Sequence, residues 1–221
     1  MWAGLCVALI EISGVTKKYG GFTAIDDISC CIGDGAICGL TGCNGAGKTT
    51  LLKCMCGVLK PEKGDISIDG QPVYDNENTK SRIFFIPDDP YILPQASMKR
   101  MAKFYSCYYP RWDNAVYSEL VGMFTLDESK KISSFSKGML RQAFLIFALS
   151  VSAEYILMDE TFDGLDQFNR GLARQLLRQA VAGRGASVII SSHDLPELDT
   201  FCDQLIQMNG KNINHGIKHE K

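Results

Sequence analysis

No stretch of this chain is long and apolar enough to cross a bilayer as a helix. The longest apolar run at its start, residues 1–10, is about half of the roughly 20 residues that a spanning helix needs. That run has no basic leading segment and no clear cleavage region, so it reads as an apolar extension before the first strand, or as a start codon placed too early, ahead of a secretory signal. An excess of positive charge is also missing: 23 Lys and Arg face 25 Asp and Glu, a net charge of -2. No nucleic-acid partner is expected, because proteins that neutralise several phosphates carry a basic face. The nine cysteines are an odd set for a disulfide framework, and Cys30-Cys31 and Cys54-x-Cys56 do not have the usual zinc spacings. They read as buried or spare thiols of a reducing compartment. Internal repeats and low-complexity segments are absent as well. What is present, 46% hydrophobic and 22% charged residues over 221 positions, is the composition of a globular protein with one core and room for a smaller inserted lobe.

Short β-like runs occupy the first part of the chain, at residues 8–13, 22–31 with Asp26-Asp27 interrupting, and 36–40. Glycines separate them as turns, so antiparallel pairing is expected there. Over residues 47–59 the apolar Leu51, Leu52, Met55, Val58 and Leu59 recur at helical spacing, and the strand at 36–40 therefore runs through a glycine loop into a helix. Residues 65–74 and 83–86 are again β-like. Beyond residues 87–94, Met98, Met101, Ala102, Tyr105 and Tyr108 fall on one face of a helix, as do Met139, Ala143, Phe144 and Phe147 of a later one. Residues 155–158 and 187–191 are near-continuous apolar or β-branched runs of the kind found in a buried parallel sheet, with Leu172, Leu176, Leu177 and Ala180 marking the crossover helix between them. The expected fold is α/β: a mostly parallel sheet, an N-terminal antiparallel β part, and a helical lobe at 89–150 inserted between core segments 1–88 and 151–221. The tail, residues 212–221, holds three charged residues and two histidines and reads as a frayed end rather than a metal site.

Between the strand at 36–40 and the helix after it lies Gly42-Cys43-Asn44-Gly45-Ala46-Gly47-Lys48-Thr49, followed by Thr50. This matches G-x-x-x-x-G-K-[ST] at every fixed position, in the strand-to-helix context that the motif requires. Glycines let such a loop fold back so that several backbone N–H groups converge on one anion, and the helix behind it adds a positive end. Lys48 is expected to reach the β- and γ-phosphates of a nucleotide and the Thr49 hydroxyl to hold Mg²⁺. A chance glycine-rich helix cap would not supply all four fixed positions. The chain is thus read as a P-loop protein that takes ATP and Mg²⁺.

Residues 155–160, Tyr-Ile-Leu-Met-Asp-Glu, form an apolar strand that ends in two carboxylates. The buried strand pushes that pair out at the carboxyl edge of the sheet, where α/β proteins bind ligands. Asp159 is expected to orient Mg²⁺ or its water. Glu160 is expected to orient and deprotonate an attacking water, work worth about 10²–10⁴ in rate. An Asp-Glu pair after a strand is usually a solvated turn; the phosphate loop upstream is what favours the catalytic reading.

Taken together, these residues resemble the ATP-binding cassette (ABC) family over nearly the whole chain, roughly residues 9–210. Four further elements follow in that family's order. Tyr19, in Lys17-Lys18-Tyr19-Gly20, matches the aromatic on which adenine stacks. Ser134-Phe135-Ser136-Lys137-Gly138-Met139 resembles a variant of the signature Leu-Ser-Gly-Gly-Gln that keeps Ser136 and Gly138, and its Lys-Gly-Met form is similar to cassettes of bacterial exporters with separate membrane subunits. Ser136 can cap the helix it opens and present its hydroxyl to a γ-phosphate, while Lys137, in place of a glycine, is expected to point to solvent. Phe162-Asp163-Gly164-Leu165-Asp166 resembles the loop that touches a partner cassette, with Asp166 at its end, and His193 resembles the switch histidine at the γ-phosphate. Where the family has a glutamine at Mg²⁺, this chain reads Ile86-Pro87-Asp88-Asp89-Pro90; Asp88 is expected to take that place through oxygen, ahead of the later Gln95.

The resemblance implies a head-to-tail pair of cassettes, a homodimer or a heterodimer, with each ATP between one chain's phosphate loop and the other's Ser136 and Gly138. It also implies a transmembrane permease subunit on a separate chain and a peripheral location on the cytoplasmic face of the cell membrane. The other readings are a soluble ABC ATPase that acts as a switch on ribosomes or DNA, which usually carries a second cassette or basic additions, and a small-molecule kinase, which has no need of Glu160 or the signature-like segment.

Overall fold

The computed structural model describes residues 8–209 and 212–214. The opening apolar run up to residue 7 and the tail from residue 215 lie outside the described residues. Element order is β1 (Ala8–Tyr19), β2 (Phe22–Gly33), β3 (Ile37–Thr41), α1 (Lys48–Met55), β4 (Lys63–Ile68), β5 (Gln71–Pro72), α2 (Glu77–Lys80), β6 (Ile83–Ile86), α3 (Met98–Tyr108), α4 (Asn114–Met123), α5 (Lys137–Ser150), β7 (Tyr155–Asp159), α6 (Gln167–Arg184), β8 (Ser187–Ser192), α7 (Leu195–Phe201), β9 (Gln204–Asn209) and β10 (Asn212–Asn214), with a 3₁₀ turn at Ile132–Ser134 before α5.

Two sheets organise these elements. One is antiparallel, in the order β2-β1-β4-β5; the other has six strands in the order β10-β9-β3-β8-β7-β6. In the second, β9, β3, β8, β7 and β6 pair parallel and only β10 joins antiparallel. Its central strands β3, β7 and β8 are buried along their whole length, which is why they read as unbroken apolar runs instead of alternating ones. One apolar cluster fills the space between this sheet, α1 and the antiparallel sheet, through Leu51, Leu52, Met55, Ile25 and Ile68. A second fills the opposite face, where Phe84, Ile156 and Ile190 of the sheet meet Phe144 and Phe147 of α5, Met98 of α3 and Leu177 of α6. The helices between β6 and β7 thus share their core with the parallel sheet.

Several expected boundaries move, each for a local reason. β1 runs past residue 13 to Tyr19 because Gly14, at φ +59, absorbs a register shift without ending the pairing. Residues 65–74 are not one strand: Asp69 (φ 52) and Gly70 (φ 71) form a turn between β4 and β5, the Asp-Gly signal of a tight hairpin. α1 stops at Met55 rather than continuing to residue 59, and Gly57 turns the chain at φ 68, leaving Val58 63% exposed instead of on the helix's buried face. On α3, Met98, Met101 and Ala102 are buried as expected, but Tyr108 is 67% exposed at the last turn.

Candidate functional site

The buried strand β3 delivers the chain to the phosphate loop, and α1 leaves it. Gly47 is the N-cap of α1 at φ 96, and a Cβ there would sit 2.8 Å from the Ala24 carbonyl and 2.5 Å from Ile25 Cγ2. Only glycine satisfies both the left-handed backbone and the contact with β2. Ala46 is buried under the loop, its N–H donating to the Cys43 carbonyl at 3.1 Å, while Cys43, Asn44 and Gly45 are exposed at the rim. Lys48 is 6% exposed; its Nζ donates to the Gly42 carbonyl at 2.8 Å and to the Cys43 carbonyl at 3.4 Å, and lies 3.4 Å from Glu160 Oε1. The ammonium is folded into the loop it serves. Thr49 is exposed and Thr50 half-buried on the first turn of α1.

Beside this loop β7 ends in the two carboxylates. Asp159 is 1% exposed; one oxygen accepts from the Thr49 hydroxyl at 2.7 Å and the other from the Ser191 hydroxyl at 2.6 Å. Glu160 takes the left-handed conformation, φ 47, which costs a non-glycine residue about 1–3 kcal/mol and persists only where surroundings enforce it. Ser191 does so: the Glu160 N–H donates to the Ser191 carbonyl at 3.2 Å and to its Oγ at 3.1 Å. The Glu160 carboxylate is then held between Lys48 and His193, whose Nδ1 is 3.1 Å from Oε2. Ser191 was not among the expected site residues. Its signal was a hydroxyl in a run that otherwise needs only apolar side chains, on a strand paired with β7.

The donor set suits magnesium. Thr49 and Asp159 bring two hard oxygens to one point, and among the described residues no group of three or more His, Cys, Asp or Glu is arranged as a protein-only cage. An ion that takes few protein ligands and completes its shell with water and phosphate oxygens fits that arrangement. Cys54 and Cys56 are buried thiols, each pushed up to about 11 by desolvation, so neither is a ready thiolate ligand near neutral pH.

The remaining expected residues sit around this centre. Tyr19, 48% exposed, ends β1 at the hairpin tip and pairs across it with Phe22, 63% exposed; Phe22 is a second aromatic of the tip that the sequence reading passed over. β2 leads from that tip directly to Ala24 and Ile25 against Gly47, so the tip borders the phosphate loop. Ser136 caps α5, accepting from Met139 N at 3.2 Å. Gly138 lies against the Gly164 carbonyl, 2.6 Å from where a Cβ would stand, and Lys137 pairs with Asp163 at 2.6 Å with both side chains half exposed. Among the described residues no hydrogen bond joins Ser136 or Gly138 to the phosphate loop of the same chain. Asp166 caps α6, accepting from Asn169 N at 2.9 Å. Asp88, expected at the metal, gives a carboxylate oxygen to the guanidinium of Arg141 on α5, a residue that sequence reasoning left out. Gln95 is exposed in a left-handed loop conformation, φ 57.

Residues 25–163 match the family model described as ABC transporter. The chain is 34% identical over 223 residues to the uncharacterized ABC transporter ATP-binding protein YhcH of Bacillus subtilis (strain 168), covering 96% of this chain and 71% of that one. It is 30% identical over 222 residues to the Nod factor export ATP-binding protein I of Burkholderia orbicola (strain AU 1054), covering 97% and 73%. It is 29% identical over 197 residues to the ABC transporter ATP-binding protein YtrB of B. subtilis (strain 168), covering 89% and 68%. Among solved structures, an ATP-binding subunit of an ABC transporter superposes with a TM-score of 0.87 at 24% identity, covering 95% of this chain and 90% of that one. A dimeric post-hydrolysis cassette, MJ0796 bound to ADP and Pi, superposes with a TM-score of 0.84 at 21% identity, covering 96% and 99%.

Proposed function

This chain belongs to the ABC transporter family of ATP-binding proteins, and on that premise we propose that it works as one of a pair of cassettes that drive a membrane subunit carried on a separate chain. It binds and hydrolyses ATP, and the observation that carries the mechanism is the convergence of Lys48, Asp159, Glu160 and His193 at the mouth of the Gly42–Thr49 loop.

In this reading the loop amides and Lys48 bind the phosphates. Lys48 leaves its pairing with Glu160 for the terminal phosphate, so nucleotide binding frees the Glu160 carboxylate to hold a water and take its proton. His193 keeps that carboxylate oriented and faces the terminal phosphate from the end of β8. Thr49 and Asp159 hold magnesium, which when bound supplies charge neutralisation along the phosphates. Tyr19, with Phe22 beside it, stacks on the adenine ring. Ser136 and Gly138 act on the partner chain's nucleotide; the cap geometry of Ser136 supports this, because the N-terminus of α5 is a donor site for an anion. Asp166 reaches toward the partner cassette. The division into core 1–88 and 151–221 with a lobe at 89–150 is likewise ours.

Among the described residues no helix is long and apolar enough to cross a membrane. We assign the membrane subunit's contact to the aromatic groove of about 330 Å³ lined by Val58, Phe85, Tyr91, Phe104, Tyr105 and Tyr109, where Tyr91 is 72% exposed. Docking there would hold the chain on the cytoplasmic face of the membrane. The pairing is tested by light scattering on Glu160→Gln. With ATP and magnesium its mass is expected to double, and with ADP to stay that of one chain; a single-chain mass under both conditions overturns the pairing.

A further inference from the structure

The start of α5 is tied to the core by charge. Lys137 and Arg141 are four residues apart and so share one face of the helix. Two aspartates from two different core segments meet that face: Asp163, after β7, pairs with Lys137 at 2.6 Å, and Asp88, after β6, pairs with Arg141. β6 and β7 are neighbouring parallel strands, so the first two turns of α5 are held to the segments that leave two adjacent strand ends.

The two pairs are unequal. Lys137 and Asp163 are each 55% exposed, and such pairs are weak and screened by salt. The Arg141 side chain is 1% exposed, its Nη1 donates to the Pro87 carbonyl at 2.8 Å, and its Nε has no hydrogen-bond partner among the described residues. A guanidinium in that position needs its carboxylate, because a buried charge left without one is strongly destabilising. Glutamine at 88, as in the usual family pattern, would remove the cation's directly paired carboxylate, itself 56% exposed, and leave it the charge of Asp163, which it does not pair with directly. The aspartate at 88 is therefore matched to the arginine at 141.

We propose that Arg141 is a positioning residue, and that Asp88 serves as its counter-ion in a clamp that sets where the Ser136–Gly138 end of α5 stands relative to the nucleotide core. That consequence for turnover rests on the paired-cassette reading above; the clamp itself does not. It also separates Asp88 from the metal, which keeps Thr49 and Asp159.

Asp88→Asn, Asp88→Glu, Arg141→Gln and the double variant Asp88→Asn/Arg141→Gln decide it. In the nucleotide-free chain, amides of residues 139–142 are expected to exchange hydrogen about tenfold faster in Asp88→Asn and at the original rate in Asp88→Glu, which keeps the carboxylate. ATP turnover in Asp88→Asn should fall about tenfold with the magnesium concentration for half-maximal rate unchanged, and the double variant should be no worse than the poorer single one, as for two groups acting through one contact. Unchanged exchange in Asp88→Asn overturns the clamp, as does a several-fold rise in its magnesium requirement without faster exchange, which would return Asp88 to the metal. The Asp88 variants leave the guanidinium in place, so the result does not depend on whether Arg141→Gln folds. If exchange quickens as expected while Glu160→Gln chains fail to pair on ATP, the clamp stands and the pairing falls.

Discussion

Ser191 has no acid–base role of its own, yet the two carboxylates depend on it. Its hydroxyl donates to Asp159 and accepts from the Glu160 N–H, so one buried group fixes the rotamer of the first and the left-handed backbone of the second. Ser191→Ala removes a donor from a carboxylate that is 1% exposed, a loss worth about 1–3 kcal/mol at a charged buried acceptor. The variant is expected to raise the magnesium concentration for half-maximal turnover and to slow turnover about tenfold, with magnesium-free nucleotide binding unchanged. Titrating magnesium in a phosphate-release assay checks this, and an unmoved half-saturation would contradict it. The phosphate loop was legible as a full motif in its strand-to-helix context and Asp159-Glu160 as a carboxylate pair closing an apolar strand, whereas His193 was read only through the resemblance to the ABC family. The structure brings these residues together. Ser191 and Arg141 were not legible, because each acts on a residue remote in sequence, 32 positions away for Ser191 and Asp159 and 53 for Arg141 and Asp88. Lys137 was expected to face solvent; it does, and it also finds Asp163, which no local pattern announces.

At the scale of elements, Ser136 and Asp166, two residues singled out by the family resemblance, are also helix caps. Asp166 accepts from Asn169 N at 2.9 Å and Asn169 Nδ2 at 2.6 Å, and these bonds, backbone first, hold its carboxyl below the usual aspartate range. A carboxylate whose folded-state pKa is depressed adds stability above its unfolded pKa and loses it as pH falls through the lower, folded value. Asp166→Ala should therefore melt a few degrees lower than the parent chain near pH 7, with the gap closing as acid protonates the parent's cap. Calorimetry across the acid range checks the sign; a gap that widens toward low pH would contradict it. Strand boundaries were less legible than strand existence. β6 lies on its expected residues, 83–86, since a short apolar run between turn signals leaves no other choice. β1 outran its expected end because a bulge at Gly14 keeps the pairing where the alternation breaks, and residues 65–74 split because Asp69-Gly70 is a turn hidden inside a β-like run.

Over the molecule's described residues, two apolar clusters lie on opposite faces of one mostly parallel sheet, and the Gly42–Thr49 loop, Asp159, Glu160 and His193 lie at the carboxyl ends of β3, β7 and β8. The helices at 98–150 share the sheet's core: Phe144 and Phe147 of α5 belong to the same cluster as Phe84 and Ile156 of the sheet. Alternation and periodicity name the elements but not which faces meet, so the helical character of this segment was legible and its sharing of the sheet's core was not. With α5 seated on the sheet, its first turns pair with Asp88 and Asp163, which follow β6 and β7, and Thr49 of the phosphate loop meets the end of β7 at Asp159. On the paired-cassette reading proposed above, that chain of contacts would let nucleotide held by one chain be sensed by the other.

Phosphate release from ATP, with magnesium and no added acceptor, tests most directly whether Glu160 does the chemistry on a nucleotide held by the Gly42–Thr49 loop. The parent chain is expected to release phosphate steadily, and Glu160→Gln to bind ATP as tightly while releasing phosphate at least about 10²-fold more slowly. Release by Glu160→Gln at the parent rate, or none from the parent chain, would contradict the account.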